Sequence, residues 1–459
     1  MLPTPAEVHA AFTELMSIDP NSAVTYLYEL GVSSGYLQAE DSKQRICWTG
    51  QCPYGNLECT INLSKPEKDP LEIASAAQLA VSDRAEQSTE QEQLVPQCEL
   101  CWQNEGFSGT PKYPAKPGLR IGPLVLGGER WGLQFSPHSY YPEHCIALSE
   151  EHRPMNVDET SFERLLDFVD LFPFYFIGSN ADLPIVGGSI LSHNHYQGGR
   201  YVFPLMKAPL TRSFELEGLT EVKCGIVKWP ASVIRLNSPN RIALSRAAAR
   251  ILTAWRTFSC DACNIIAASS AQHNTLNAIV HKVDSGYVMD LVLRNNRTDA
   301  QHPWGIFHPD ESLHHLKKEN IGLIEIMGRA ILPARLAHEL PLVQGELIQA
   351  AHQGLSTSEL TIRLRDNFQT ASHATWASTI YQGKSEMFLL SSAQGGYTEQ
   401  ERDTSDLSTS NHLHPVIQSE VTQSFTKILE ATGVFKQNPT GTTGWNTFID
   451  LTANRSMRV

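Results

Sequence analysis

Apolar residues recur at helical spacing from Pro5 to about Leu37, where Phe12, Leu15 and Met16 mark one buried face. The run Tyr54 to Leu63 reads as a strand and is closed by a turn with Pro66 and Pro70. A helix is expected to start after Pro70, over Leu71 to Ser82, and the polar, acidic stretch Glu86 to Gln97 reads as a linker. From Gln97 to about Trp229, strand-like runs surround one helix that starts near Asp158. Phe162, Leu165, Leu166 and Val169 form its apolar stripe, and Pro173 ends it. The strand Phe174 to Gly178 follows at once. Further on, Ser245 to Phe258 reads as a helix, Ile279 to Leu293 as strand, and Asn320 to Leu332 as a helix. Ser392 to Ser410 is polar without periodicity and reads as a loop, and His414 to Ala431 as a final amphipathic helix. No short tandem repeat is visible.

Composition narrows the class. A chain of 459 residues with 41% hydrophobic and 19% charged residues can bury a large core and is expected to form two or three domains. No apolar stretch approaches the roughly 20 residues that a membrane helix needs. The segment Met1 to Asn21 carries Glu7, Glu14 and Asp19 but no Lys or Arg, unlike a secretory signal. A net charge of −13 argues against a general nucleic-acid binder, while leaving room for a local cationic cluster around a phosphorylated sugar. Nine cysteines, an odd number without a signal segment, suggest reduced thiols and a cytoplasmic location.

The chemistry concentrates in residues 180–199, from Asn180 through Gly187, Gly188, Ser189 and Ser192 to His193, His195, Gln197 and Gly199. If this segment is extended, His193, His195 and Gln197 share one face, about 7 Å apart from one to the next. Small residues in the preceding turn let a phosphate approach backbone N–H groups, with Ser189, Ser192 and Asn180 as candidate phosphate or ribose contacts. Imidazole is nucleophilic and partly neutral near pH 7, so the run suggests covalent catalysis at phosphorus. A lone His-x-His is more often structural or metal-binding; the long Gly/Ser/His context shifts the balance.

That run, including Asp182-Leu183-Pro184-Ile185-Val186 and Gln197-Gly198-Gly199, resembles the signature of the type 2 galactose-1-phosphate uridylyltransferases of Gram-positive bacteria. Asn194 stands where many members carry Asp. The resemblance implies an α/β (α+β) fold with two histidine-triad-like halves, mainly antiparallel sheets flanked by helices. An N-terminal helical extension (1–95) would precede a catalytic half (96–232) and a C-terminal half (233–459). It implies ping-pong transfer of UMP from UDP-glucose to galactose 1-phosphate, with His195 as nucleophile. Gln197 stands where histidine-triad hydrolases carry a third His. An amide donates to a phosphoryl oxygen but does not readily activate water, which favours transfer. Arg120 is a nucleotide contact by the same resemblance, and a homodimer is compatible with it.

Two Cys-x-x-Cys pairs offer metal ligands, Cys98/Cys101 and Cys260/Cys263. The second pair follows a helical segment, where packed thiols are the commoner reason. The first, followed by Asn104-Glu105-Gly106-Phe107, resembles a segment that in related uridylyltransferases joins two histidines around a structural zinc. The matching positions are His152 and His193. His308, Asp310, His314 and His315 resemble the family's C-terminal half, where histidines hold a second metal or contact the hexose phosphate. Asp310 stands where many members carry His. Lys317 and Lys318 read as two cations at a helix start, which opposes the helix dipole and suggests an anionic partner.

Rival readings are a UTP-dependent or N-acetylhexosamine-1-phosphate uridylyltransferase of the same fold, a dinucleoside polyphosphate phosphorylase or hydrolase, and a non-catalytic zinc-supported binding module. Gln197 weighs against the hydrolase, and the complete nucleophile segment against the last.

Overall fold

The computed structural model describes residues 2–37, 45–63, 95–111, 113–186, 188, 190–393 and 413–453. The helix expected over Leu71 to Ser82 lies outside these residues. So do positions 86–94 of the expected linker and 394–410 of the expected polar loop.

The N-terminal helical rhythm is two helices, α1 (Pro5–Ile18) and α2 (Pro20–Ser33). Asp19 separates them: its extended backbone ends α1, and its carboxylate accepts the Asn21 and Ser22 N–H groups that open α2. Phe12 of α1 lies so close to Gly122 that a Cβ there would come within 2.6 Å of the ring.

Two sheets follow. A three-stranded sheet pairs β1 (Arg45–Cys52) with β2 (Gly55–Asn62) antiparallel, and β2 with the much later β13 (Arg329–Leu332) in parallel. The ten-stranded sheet has the order β3-β4-β5-β7-β6-β11-β12-β10-β9-β8. Its strands are β3 (Gly122–Leu126), β4 (Glu129–Phe135), β5 (Cys145–Ser149), β6 (Phe176–Ser179), β7 (His195–Gly199), β8 (Leu210–Phe214), β9 (Lys223–Val227), β10 (Val233–Ser238), β11 (Asn274–Val283) and β12 (Gly286–Asn295). Every neighbouring pair in it is antiparallel.

This order contains a duplication that inspection of the chain does not reveal. Three meandering strands, a helix and two further strands make the first half, with α3 (Glu159–Leu171) between β5 and β6. The second half repeats that plan, with α5 (Arg241–Thr257) between β10 and β11. The halves join edge to edge at β6 and β11, where Gly178 pairs with Ile279. The expected boundary at 232/233 falls between β9 and β10, neighbours within the second half.

One face of the large sheet packs against α1, α2, α3, α5 and α11 (Pro439–Ala453). Asp158 caps α3 by accepting the Ser161 N–H, and Phe162, Leu165, Leu166 and Val169 are all buried. The other face carries the three-stranded sheet and a helical layer. That layer comprises α4 (Pro204–Lys207), α6 (Leu323–Ile326), α7 (Leu336–Gln353), α8 (Thr357–Asp366), α9 (Ala374–Ala393) and α10 (Pro415–Thr432). α10 matches the amphipathic helix expected from His414, but it is not the final one, because α11 follows it.

Two expectations are corrected. Residues 320–332 are not one helix. The single turn α6 stops at Gly328, whose φ of 99° leaves the helical region, and the apolar residues beyond it form β13 beside β2. Residues 279–293 are not one strand but the inner parts of the β11–β12 hairpin, which turns at Gly286 with φ 122°.

Candidate functional site

Residues 180–199 run from the end of β6 into β7, and other elements fix almost every step. Asp182 accepts the Val157 N–H and an Arg256 guanidinium N–H, each at 2.9 Å, and the Thr275 hydroxyl. The start of the motif is thereby tied to the approach of α3, the end of α5 and the start of β11. Asn180 Oδ1 accepts the Leu323 N–H at 3.2 Å. A Cβ on Gly188 would come within 2.7 Å of Asn180 Nδ2, so a larger residue there would displace that amide. Ser192 is half-buried, and Gly187 and Ser189 lie outside the described residues. The later loop touches this turn: a Cβ on Gly305 would lie 3.0 Å from Ile185 Cγ2.

The strand begins only at His195. Its alternation buries Tyr196 on the helix-covered face, stacked on Trp131 with ring centroids 4.9 Å apart. His195 and Gln197 therefore point to the opposite face. His195 Nδ1 lies 2.8 Å from the His193 carbonyl oxygen. A carbonyl only accepts, so Nδ1 carries the proton and Nε2 keeps its lone pair. Nε2 has no hydrogen-bond partner among the described residues. Burial pushes the His195 imidazole down to about 4, against the opposing effect of the His193 carbonyl, so the ring is neutral at neutral pH. The His195 N–H is directed at Met155 Sδ at 3.3 Å. Gln197 is half-buried, and its Oε1 lies 3.2 Å from His144 Nε2.

Next to this pair is a second polar cluster. One ligand atom each from Cys98, Cys101, His152 and His193 lies within 4.8 Å of all the others. Cys98 Sγ is 3.6 Å from Cys101 Sγ, 3.7 Å from His152 Nδ1 and 3.4 Å from His193 Nδ1. Cys101 Sγ is 3.1 Å from His152 Nδ1. A tetrahedral zinc with ordinary Zn–S and Zn–N lengths has edges of about 3.3–3.8 Å, so the donor set fits a single ion. The surroundings fit too. Sulfur accepts N–H groups from Gln97, Cys98 and Leu100, and Asn104 Nδ2 donates to the Cys98 and Cys101 carbonyls, closing the turn. His193 Nε2 donates to the Ser149 carbonyl at 2.8 Å, which leaves Nδ1 as the donor atom toward the cluster. The Cys101 thiol is held well below its usual range by the Cys98 thiol and, against burial, by His152 and His193. The four expected metal ligands are brought together. Cys260 and Cys263 sit at a separate one-turn helix, away from this group.

Two expected substrate contacts take other positions. Arg120 is buried, and its guanidinium donates to the backbone carbonyls of Pro3, Pro117 and Leu119, so it is an internal brace for the N-terminal segment. Lys317 is 1% exposed and paired with Glu319 and Glu325, both at 2.8 Å. Its charge is neutralised inside the protein. The neighbouring Lys318 lies with Nζ 5.2 Å from the Trp304 ring centroid. Neither lysine opens a helix: they follow the one-turn segment Glu311–Leu313, whose cap is Asp310. His308 and His314 do approach each other, with ring centroids 5.4 Å apart.

His144 was not legible in the chain. It stands one residue before β5, in Tyr140-Tyr141-Pro142-Glu143-His144-Cys145, which has no recognisable spacing. Only the pairing of β5 with β7, Cys145 opposite Gly198 and Ile146 opposite Gln197, brings it beside the motif.

A neutral imidazole with a locked tautomer, beside an amide, can deliver a nitrogen lone pair to an electrophile. Comparison with known proteins agrees with this chemistry. The family model described as galactose-1-phosphate uridyl transferase, N-terminal domain, matches residues 1–154, and the corresponding C-terminal domain matches residues 167–361. The chain is 41% identical over 452 residues to a galactose-1-phosphate uridylyltransferase of Clostridium acetobutylicum, covering 98% of this chain and 82% of that one. It is 41% identical to the protein of the same name from Bacillus subtilis, over 98% of this chain and 80% of the relative. It is 40% identical to that of Lactiplantibacillus plantarum, over 97% and 82%. A crystal structure of yeast Ap4A phosphorylase Apa2 aligns with a TM-score of 0.37 and 13% identity, over 67% of this chain and 84% of that one, too distant to bear on the reading. The chain belongs to the galactose-1-phosphate uridylyltransferase family.

Proposed function

We propose that this chain is a UDP-glucose–hexose-1-phosphate uridylyltransferase that works by two displacements at one phosphorus. His195 Nε2 attacks the α-phosphorus of UDP-glucose. An N–P bond forms, the bridging P–O bond breaks, and glucose 1-phosphate leaves. An oxygen of galactose 1-phosphate then attacks the same phosphorus, breaking the N–P bond to give UDP-galactose and free imidazole. Both leaving group and acceptor are phosphate anions, so proton transfer has little to do, and catalysis rests on positioning and on stabilising the equatorial oxygens. The single observation that carries this reading is the His195 ring, its Nδ1 held by the His193 carbonyl at 2.8 Å. Gln197 donates its amide to a phosphoryl oxygen. The turn with Asn180, Ser189 and Ser192 supplies further donors, and Lys318 is the remaining cationic candidate.

The metal of the Cys98, Cys101, His152 and His193 group is zinc in this reading, on the chemistry of two thiolates and two imidazoles. When bound it supplies structural cross-linking and no open position. The chain's own residues do the rest: His193 presents its carbonyl to His195, so a fixed His193 fixes the nucleophile. The thiol content supports a cytoplasmic location. No described helix is long and apolar enough to cross a membrane.

The test is to incubate the protein with UDP-glucose labelled at the α-phosphate, without acceptor. The expected result is acid-labile label on the protein, discharged by galactose 1-phosphate. A protein that turns over yet never carries label would overturn the covalent route. Discharge by pyrophosphate or by an N-acetylhexosamine phosphate in preference to galactose 1-phosphate would reassign the acceptor.

A further inference from the structure

Gln197 has two chemically different ends on one planar group, and only one of them suits a phosphate. Phosphoryl oxygens accept hydrogen bonds, so the NH2 end must face the substrate and the carbonyl end must face the protein. A half-buried glutamine in a sheet has no intrinsic preference between the two, because rotation by 180° about its last bond preserves its shape. Something must select the useful orientation.

We infer that His144 makes that selection and is a positioning residue for Gln197. Its Nε2 lies 3.2 Å from Gln197 Oε1. The imidazole is 4% exposed and packed between aromatic rings, 4.6 Å from Tyr141 and 5.4 Å from Tyr140 between centroids. Tyr141 is itself fixed, its hydroxyl donating to the Gly198 carbonyl of β7 at 3.0 Å. The ring is thus clamped at a set distance from β7 with Nε2 facing Oε1, and the inference includes the tautomer that carries the proton on Nε2, in which this N–H donates to the amide oxygen. In that tautomer a reversed amide would set an NH2 against the N–H, two donors facing each other and an unmet hydrogen-bonding need in a buried place. His144 therefore acts through Gln197 on the transition-state oxygens without touching the reacting atoms. The inference deepens the uridylyl-transfer reading and rests on it.

Two substitutions separate a donor from a filler. His144→Phe keeps a ring between the tyrosines and removes the donor. His144→Gln removes the ring but places an amide N–H at nearly the reach of imidazole Nε2. The measurement is the single-turnover rate of protein labelling from α-phosphate-labelled UDP-glucose in the intact enzyme, with melting temperature recorded for each variant. Phe is expected to slow labelling roughly tenfold to a hundredfold, less than the roughly 10²–10³-fold for outright loss of an oxyanion-type donor because the amide is misdirected rather than removed, while KM for UDP-glucose changes little. Gln is expected to recover most of that rate. In a Gln197→Leu background, His144→Phe should have no further effect, because the amide it orients is gone.

The opposite ranking, with Phe near wild type and Gln impaired, would show that the ring matters only for packing and would overturn the inference. So would equal, additive losses in both backgrounds. Absence of label in the wild-type enzyme would instead remove the covalent reading itself, an outcome distinct from either result with His144.

Discussion

The two halves of the ten-stranded sheet share a topology, yet they use the same face differently. Gln197 on β7 and Asp290 on β12, the topological counterpart of β7, lie in one cross-strand row through Gly178 and Ile279. In the first half the pair is an imidazole and an amide, His144 beside Gln197, with the amide half-buried and able to turn one end outward. In the second half the pair is ionic and closed. Arg235 grips both oxygens of Asp290, at 2.7 and 2.8 Å, and also donates to the carbonyls of Ala208 and Leu205. The Asp290 side chain is 0% exposed. Identical strand order therefore does not make a site. A site arises where the polar groups on the shared face are left with unspent capacity, and the other half uses its polar groups on holding the sheet to its cover.

Breaking the first half at its centre has the largest expected effect. His195→Asn keeps an amide donor near the Nδ1 position toward the His193 carbonyl but removes the nucleophile. Turnover should fall on the order of 10⁴-fold or more, with the melting temperature nearly unchanged. Activity within tenfold of wild type would contradict the role of His195.

Next comes the cluster behind it. Cys98→Ser should take bound metal from about one ion per chain toward none, measured by atomic emission on purified protein. Activity should fall as well, because His193 loses its anchor. Equal metal in variant and wild type would reject the ligand set.

In the second half, Asp290→Ala leaves the Arg235 guanidinium, 14% exposed, without its carboxylate. A loss of about 3–5 kcal/mol of stability is expected in denaturant titration, while kcat per folded molecule stays close to wild type. A large kcat loss with intact stability would mean that the second half contributes to chemistry after all.

The smallest effect tests the equivalence of the halves. Asp158 caps α3 and Asn240 caps α5, each accepting N–H groups of the first turn. Replacing either by Ala should lower stability by about 1 kcal/mol. Strongly unequal losses would show that the two repeated units are not held in comparable ways.

Much of this molecule was readable because its information is local. Asp158, the apolar stripe of α3 and Pro173 define a helix within one window of sequence, and so does the run that ends in α10. The nucleophile segment was readable for the same reason, since His195 and Gln197 lie two residues apart, whereas the His193 carbonyl as tautomer lock emerged only from the folded geometry. Reading failed where the deciding contact was remote. The residues that form β13 look helical until β2, far upstream in the chain, offers them a parallel edge. Lys317 looks like an available cation until Glu319 and Glu325 close around it. Arg120 looks like a surface contact until the carbonyl of Pro3 meets it.

What the sequence by itself determined was the chemistry: which imidazole can attack, that an amide stands beside it and, through the family resemblance, which thiols and imidazoles can share an ion. The nucleophile, the amide and the Cys98/Cys101 pair follow from residue type and short spacing, because such local patterns need no partner to define them; His152 and His193 joined the pair only through the resemblance. The tertiary structure alone decided which polar groups remain available and how they are aimed. Strand pairing set His144 against Gln197 and Arg235 against Asp290, and burial then fixed one pair as an open donor and the other as a closed brace. The reason is physical: a hydrogen bond's geometry and a charge's availability depend on every atom within a few ångströms, and folding draws those atoms from distant parts of the chain.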